Sequence, residues 1–111
     1  MASGSKTLEE LFAVIESRKN ADPAVSYTAK LIRDGRLKIA KKVGEEGVEA
    51  ALAGLKGERS EIIGESADLL YHLLVLWAER GVRPRDVFKE LSARVGVSGI
   101  EEKKSRSKKK K

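Results

Sequence analysis

Nine consecutive residues in the second half of the chain, from Leu69 to Trp77, are apolar around almost the whole perimeter of a helix. The run is far shorter than the ~20 residues that span a bilayer, so it predicts a core helix and not a membrane segment. A helix that is apolar on several sides must pack against other helices on more than one side. Because 111 residues leave room for one core only, we expect a helical homodimer to supply part of that cover.

The other apolar residues also recur at helical spacing, and no run of several residues alternates as a strand does. The predicted helices cover residues 7–19, 26–34, 36–56, 61–80 and a last stretch that begins at Pro84. Thr7, with Glu10 as its capping-box partner, and Ser60 are expected N-caps. The residues expected to form a buried stripe on the third helix are Leu37, Ala40, Val43, Val48 and Leu52. The predicted fold class is all-α, with helical hairpins that form a four-helix-type bundle completed by homodimerisation.

The formal net charge of +6 arises at one end of the chain. Seven of the 23 basic residues are Lys103, Lys104, Arg106 and Lys108 to Lys111, which leaves sixteen against 17 acidic residues. We interpret residues 1–6 as a disordered N-terminal segment, 7–97 as one folded domain and 98–111 as a flexible Lys-rich tail. Such a tail is expected to bind polyanions weakly and in a salt-dependent way.

The composition excludes several kinds of site. The chain has no cysteine and one histidine, His72, so disulfides, thiolate metal sites and multi-histidine zinc or copper sites are ruled out. A di-iron carboxylate bundle needs two Glu-x-x-His pairs, and zinc proteases need His-Glu-x-x-His. Any metal must therefore be bound by oxygen. No secretory leader pattern occurs in the first residues, so we expect a cytoplasmic protein without a membrane partner.

Two pairs of acidic residues share the spacing that places both side chains on one helix face. Glu46 and Glu49 are three residues apart on the third helix, as are Glu65 and Asp68 on the fourth. If these helices form an antiparallel hairpin, the four carboxylates can converge and would repel one another without a cation. Hard oxygen ligands favour Mg²⁺. Glu-x-x-Glu is also common on solvated helices, but Asp68 lies in the most apolar helix, where an unpaired carboxylate is costly.

Other charged residues lie close to these pairs. Glu45 could orient or deprotonate a water molecule, or equally pair with Lys41 on the helix surface. Lys38 and Lys42 precede the acidic pairs by one or two turns and could contact phosphate oxygens. His72 and Tyr71 could reach the metal or the substrate, or fill the core as polar-tipped side chains.

Three segments carry a family resemblance. Lys42-Val-Gly-Glu-Glu-Gly-Val-Glu49, Glu65-Ser-Ala-Asp-Leu-Leu-Tyr-His72 and Ser26-Tyr-Thr-Ala-Lys-Leu31 resemble the phosphoribosyl-ATP pyrophosphohydrolase family. The resemblance implies hydrolysis of phosphoribosyl-ATP to phosphoribosyl-AMP and pyrophosphate, the second step of histidine biosynthesis, with Mg²⁺ in a cytoplasmic homo-oligomer.

The same resemblance implies roles for individual residues. Glu46, Glu49, Glu65 and Asp68 become metal ligands, and Glu45 becomes a carboxylate that activates the water or supports the ligands. Glu45 and Glu46 are the predicted catalytic residues. The implied substrate-binding residues are Ser26, Thr28, Lys30, Lys38, Lys42, Tyr71 and His72. Ser26 could instead cap a helix start. Two alternatives stay open: an enzyme that removes unwanted nucleoside triphosphates, and a non-enzymatic helical module that binds polyanions.

Overall fold

The computed structural model describes residues 4–96, which form five helices and, within this range, no strand. The helices are α1 (Gly4–Ser17), α2 (Tyr27–Asp34), α3 (Arg36–Lys56), α4 (Arg59–Arg80) and α5 (Pro84–Arg94). The all-α prediction is confirmed. The predicted tail lies outside the described residues, as do residues 1–3. Within residues 4–96, no helix combines the length and hydrophobicity that crossing a membrane requires.

The two longest helices, α3 and α4, form a hairpin, and their mutual contact is the most extensive in the fold. Only Gly57 and Glu58 connect them. Gly57 adopts φ 83°, a left-handed conformation that glycine enters without steric cost, and its N–H donates to the carbonyl of Ala53. This short connection ends α3 sharply and sends α4 back along it.

The core lies where α1 and α2 pack against this hairpin. Its buried apolar residues are Phe12, Ile15, Leu31, Ile39, Leu74, Val75 and Ala78. The predicted apolar run on α4 supplies two of them, Leu74 and Val75, and Ala78 follows directly after it. Helices α1 and α5 also contact each other. Trp77, predicted as a packing residue, is half-buried against the same core.

The buried side of α3 differs from the predicted one. Its buried residues are Ile39, Glu46 and Ala53, which are seven residues apart and so share one helix face. The predicted stripe was wrong, because Leu37 is 85% exposed and Leu52 is 59% exposed in this chain. Both stripes repeat with a helical period, and periodicity alone does not say which one meets α4.

Two predicted helix starts were also wrong. Helix α1 begins at Gly4, so Thr7 lies inside the helix and is not its N-cap. Nothing between Gly4 and Thr7 interrupts a helix, and caps predict boundaries only to within a few residues. Helix α4 begins at Arg59, one residue before Ser60, with Glu58 at the N-cap. The start of α5 at Pro84 was predicted correctly.

An ion pair joins the start of α3 to the end of α4. The Arg36 guanidinium donates to both carboxylate oxygens of Glu79 at distances of 3.0 to 3.2 Å. The hydrogen bonds that Arg36 donates lower the pKa of Glu79, and their acceptance by the Glu79 carboxylate raises the pKa of Arg36. The bidentate geometry favours the antiparallel register of the two helices.

We predict that Glu79→Gln destabilises the protein at neutral pH but not in acid. Because folding lowers the pKa of Glu79, its contribution is fully present above the unfolded value of about 4.5 and is lost as pH falls through the folded value. Urea unfolding at pH 7 and pH 3 measures the difference. The control is Glu9→Gln, at an exposed position of α1. A loss of unfolding free energy in Glu79→Gln that is the same at pH 3 as at pH 7 contradicts the prediction.

Candidate metal centre

Three carboxylates from α3 and α4 converge on one point in the hairpin. Glu46, Glu49 and Glu65 each place one oxygen so that all three lie within 4.8 Å of one another. The spacing of three residues puts Glu46 and Glu49 on neighbouring positions of α3, and the hairpin register brings Glu65 of α4 opposite them. The predicted convergence of acids from two helices is therefore present for these three residues.

The site disfavours charge on two of these groups. Burial raises the pKa of Glu46, which is 8% exposed, and the charge of Glu49 adds to the effect. The pKa of Glu65 is raised chiefly by its hydrogen bond with the Glu49 carboxyl group, and then by burial. Buried oxygens of Glu46 and Glu65 also have no hydrogen-bond partner. Unpaired buried oxygens of this kind are costly unless a proton or a cation compensates them.

The oxygens fit a divalent cation. Mg²⁺ takes oxygen ligands at about 2.0–2.1 Å, so two ligands on opposite sides of the ion lie roughly 4 Å apart, close to the spread in this cluster. The donor set contains carboxylates only, which favours Mg²⁺ or Mn²⁺ over softer metals. A bound cation would be the missing interaction partner of the buried oxygens of Glu46 and Glu65.

The fourth predicted ligand, Asp68, is placed differently. Its side chain is exposed and is not part of the group of three. It is nevertheless close, because its charge raises the pKa values of both Glu46 and Glu65. Asp68 thus borders the cluster on α4, one turn beyond Glu65, and its role as a ligand stays a prediction.

The predicted base lies at the edge of the cluster and is paired with a lysine. The carboxylate of Glu45 is 3.7 Å from the ammonium of Lys42, one turn earlier on α3. From the sequence alone, Lys41 was the alternative partner of Glu45. Glu45 is largely exposed and Lys42 is half-buried. A substrate phosphate could compete for Lys42 and release Glu45. Lys38, one turn before Lys42, is exposed, as is Lys30 on α2.

The other predicted binding residues on α2 face the protein interior. Ser26 is the N-cap of α2, and its hydroxyl accepts a hydrogen bond from the Ala29 amide. The Thr28 hydroxyl is hydrogen-bonded to the hydroxyl of Tyr71 on α4. Both side chains are buried. Their substrate-binding role stays a prediction. In this structure Ser26 caps α2, and Thr28 links α2 to α4.

Two aromatic rings and the histidine form a connected group beside the carboxylates. His72 is buried, its Nδ1 is 2.8 Å from the backbone carbonyl of Asp68, and its Nε2 is 3.0 Å from the Tyr27 hydroxyl. The rings of Tyr27 and Tyr71 each contact the His72 ring edge-on. The hydrogen bond from His72 to the carbonyl of Asp68, one turn earlier on α4, places the histidine beside the cluster.

Tyr27 is the residue of this site that sequence reasoning missed. Burial raises the pKa of its phenol, and the neighbouring Lys42 partly offsets this effect. Its position between Ser26 and Thr28, in a segment that already carried the family resemblance, was the available signal. Spacing along α2 gave no sign that its hydroxyl reaches α4.

Comparison with known proteins is consistent with this arrangement. The family model of phosphoribosyl-ATP pyrophosphohydrolase matches residues 8–95. A phosphoribosyl-ATP pyrophosphatase of Paramagnetospirillum magneticum is 62% identical over 109 residues, which are 98% of this chain and 100% of the relative. Those of Rhodospirillum rubrum and Azospirillum brasilense are each 52% identical, covering 95% and 89% of this chain and 90% and 89% of the relatives. The chain belongs to the phosphoribosyl-ATP pyrophosphohydrolase family.

Proposed function

We propose that this protein hydrolyses phosphoribosyl-ATP to phosphoribosyl-AMP and pyrophosphate, the second step of histidine biosynthesis, in the cytoplasm. The convergence of Glu46, Glu49 and Glu65 carries the proposal, because a buried cluster of carboxylates with unpaired oxygens is suited to a cation that binds a triphosphate. Family membership supports the substrate.

The chemistry follows from the charges involved. Water attacks phosphorus at the linkage between the α and β phosphates, the bridging P–O bond breaks, and pyrophosphate leaves with the electron pair of that bond. Mg²⁺ held by Glu46, Glu49, Glu65 and Asp68 would neutralise the phosphate charge and lower the pKa of the attacking water. The proton released by the water passes to Glu45, the exposed carboxylate at the edge of the cluster.

The cationic side chains contribute to binding. Lys42 lies beside the cluster, and its ammonium is 3.7 Å from the carboxylate of Glu45, a loose contact that phosphate oxygens can replace. Lys38 is on the same side of α3 one turn earlier, where it extends this cationic edge. Lys30 offers a further cation on α2.

The test of the proposal is pyrophosphate release from different substrates with Mg²⁺. We expect a strong preference for phosphoribosyl-ATP over a panel of ordinary and deoxy nucleoside triphosphates. Equal release across the panel indicates an enzyme that removes unwanted nucleotides, and release from none contradicts an enzymatic function. A chelator should abolish turnover, and added Mg²⁺ should restore it.

We predict that Glu46→Gln and Asp68→Asn each lower kcat by about a hundredfold or more, because each removes negative charge from the metal site without changing side-chain volume. The matched control is Glu61→Gln, which alters an exposed acid of α4 that is paired with Lys56. Circular dichroism checks the fold of each variant. Wild-type turnover in a folded Glu46→Gln protein would refute the assignment.

We also propose that a second copy of the chain covers the outer side of α3. Val48, Leu52 and Leu55 are exposed apolar residues spaced four and three apart, on the side of α3 opposite Ile39. A continuous apolar stripe of this kind is costly in water and is suited to a helix–helix interface. The stripe adjoins Glu49, so a dimer would lie next to the metal site.

Leu52→Glu should convert the dimer into a monomer, because it places a charge in the middle of the proposed interface. Size-exclusion chromatography with light scattering measures the mass. Val25→Glu is the control, since Val25 is 83% exposed in the turn before α2, away from this stripe. A wild-type protein that runs as a monomer at micromolar concentration contradicts the dimer.

A further inference from the structure

Tyr27 has an exposed ring that its contacts with the protein do not explain. Its neighbours Ser26 and Thr28 are buried, and both are hydrogen-bonded within the protein. Tyr27, between them, is 48% exposed. Its hydroxyl end lies close enough to Lys42 and Glu46 for their charges to act on its pKa. A large aromatic surface is therefore available beside the carboxylate cluster.

The ring is held in place by contacts at more than one point. Its backbone is in the first turn of α2, and its hydroxyl is 3.0 Å from Nε2 of His72. The ring also stacks against Tyr71, with centroids 6.2 Å apart and planes 24° from parallel. A ring that is already ordered loses little conformational entropy when a ligand packs on it.

The direction of the hydrogen bonds decides which part of Tyr27 is free. The carbonyl of Asp68 can only accept, so Nδ1 of His72 donates to it. With the ring proton on Nδ1, Nε2 accepts and the Tyr27 hydroxyl donates to it. Because this hydrogen is donated to His72, the Tyr27 hydroxyl can offer a ligand only its oxygen as an acceptor, and the larger surface open to a ligand is the exposed face of the ring.

We propose that Tyr27 is the residue that recognises the purine base of the substrate, by stacking its exposed face on the base. The proposal rests on the proposed function, which places the triphosphate at the neighbouring carboxylates. Aromatic side chains stack on bases through the π-face of the ring. Tyr27 therefore increases the affinity for the nucleotide and leaves the chemical step unchanged.

Two substitutions separate the ring from the hydroxyl. Tyr27→Phe keeps the stacking surface and removes the bond to His72, whereas Tyr27→Leu removes the ring. In steady-state kinetics with phosphoribosyl-ATP and Mg²⁺, we expect Tyr27→Leu to raise KM by about tenfold to a hundredfold, the range of a lost stacking contact, with kcat little changed. Tyr27→Phe should keep KM within about threefold. Val25→Ala in the preceding turn is the matched control.

Calorimetric titration with AMP and, separately, with pyrophosphate gives a readout that does not need turnover. Tyr27→Leu should weaken the binding of AMP and leave that of pyrophosphate unchanged. Equal loss for both ligands, an unchanged KM in Tyr27→Leu, or a tenfold rise of KM in Tyr27→Phe overturns the proposal. Should Tyr27→Leu fail to fold, Tyr27→Ala, which also removes the ring, replaces it in both measurements with the same expected results. If the wild type does not hydrolyse phosphoribosyl-ATP, the proposed function fails, while the AMP titration still tests Tyr27.

Discussion

The structure depends on one costly contact, the carboxylate of Glu46 in the interface between the two longest helices. Glu46 occupies the same face of α3 as Ile39 and Ala53, the positions that pack against α4. A sequence selected for stability alone would place an apolar side chain there, because an uncompensated buried carboxylate is unfavourable. The gathering of Glu49 and Glu65 at the same point increases the repulsion. Local stability is thus reduced where charge is needed to hold a cation.

The remaining fold keeps these groups in register. Gly57 turns the chain at one end of the hairpin, and the pair formed by Arg36 and Glu79 fixes the other end. Between these ends α3 and α4 cannot slide by a helical turn without losing one of the two constraints. Helix α2 adds a lateral constraint through the bond between Thr28 and Tyr71. The carboxylate cluster is thus preorganised, because its members lie on helices and not on loops.

The interior of the site shows why a family segment does not by itself assign roles. Ser26 and Thr28 carry hydroxyl groups suited to a ligand, yet both are hydrogen-bonded inside the protein. The tyrosine between them projects its hydroxyl to His72 on α4, 45 residues away in sequence. A hydroxyl group can form the same hydrogen bonds in a helix cap as in a ligand-binding site. Only the positions of the neighbouring helices show which of the two roles it has.

By itself the sequence determined the all-α class and the faces shared by Glu46 and Glu49, because helical periodicity and spacing are local properties of the chain. It also determined the start of α5, since proline restricts its own backbone. Only the tertiary structure decided that Ile39, and not Leu37, enters the core. The tertiary structure also decided that Glu65 of α4 lies opposite Glu46 and Glu49 of α3. Both outcomes depend on the register of residues far apart in sequence, which the competing apolar stripes of α3 leave open.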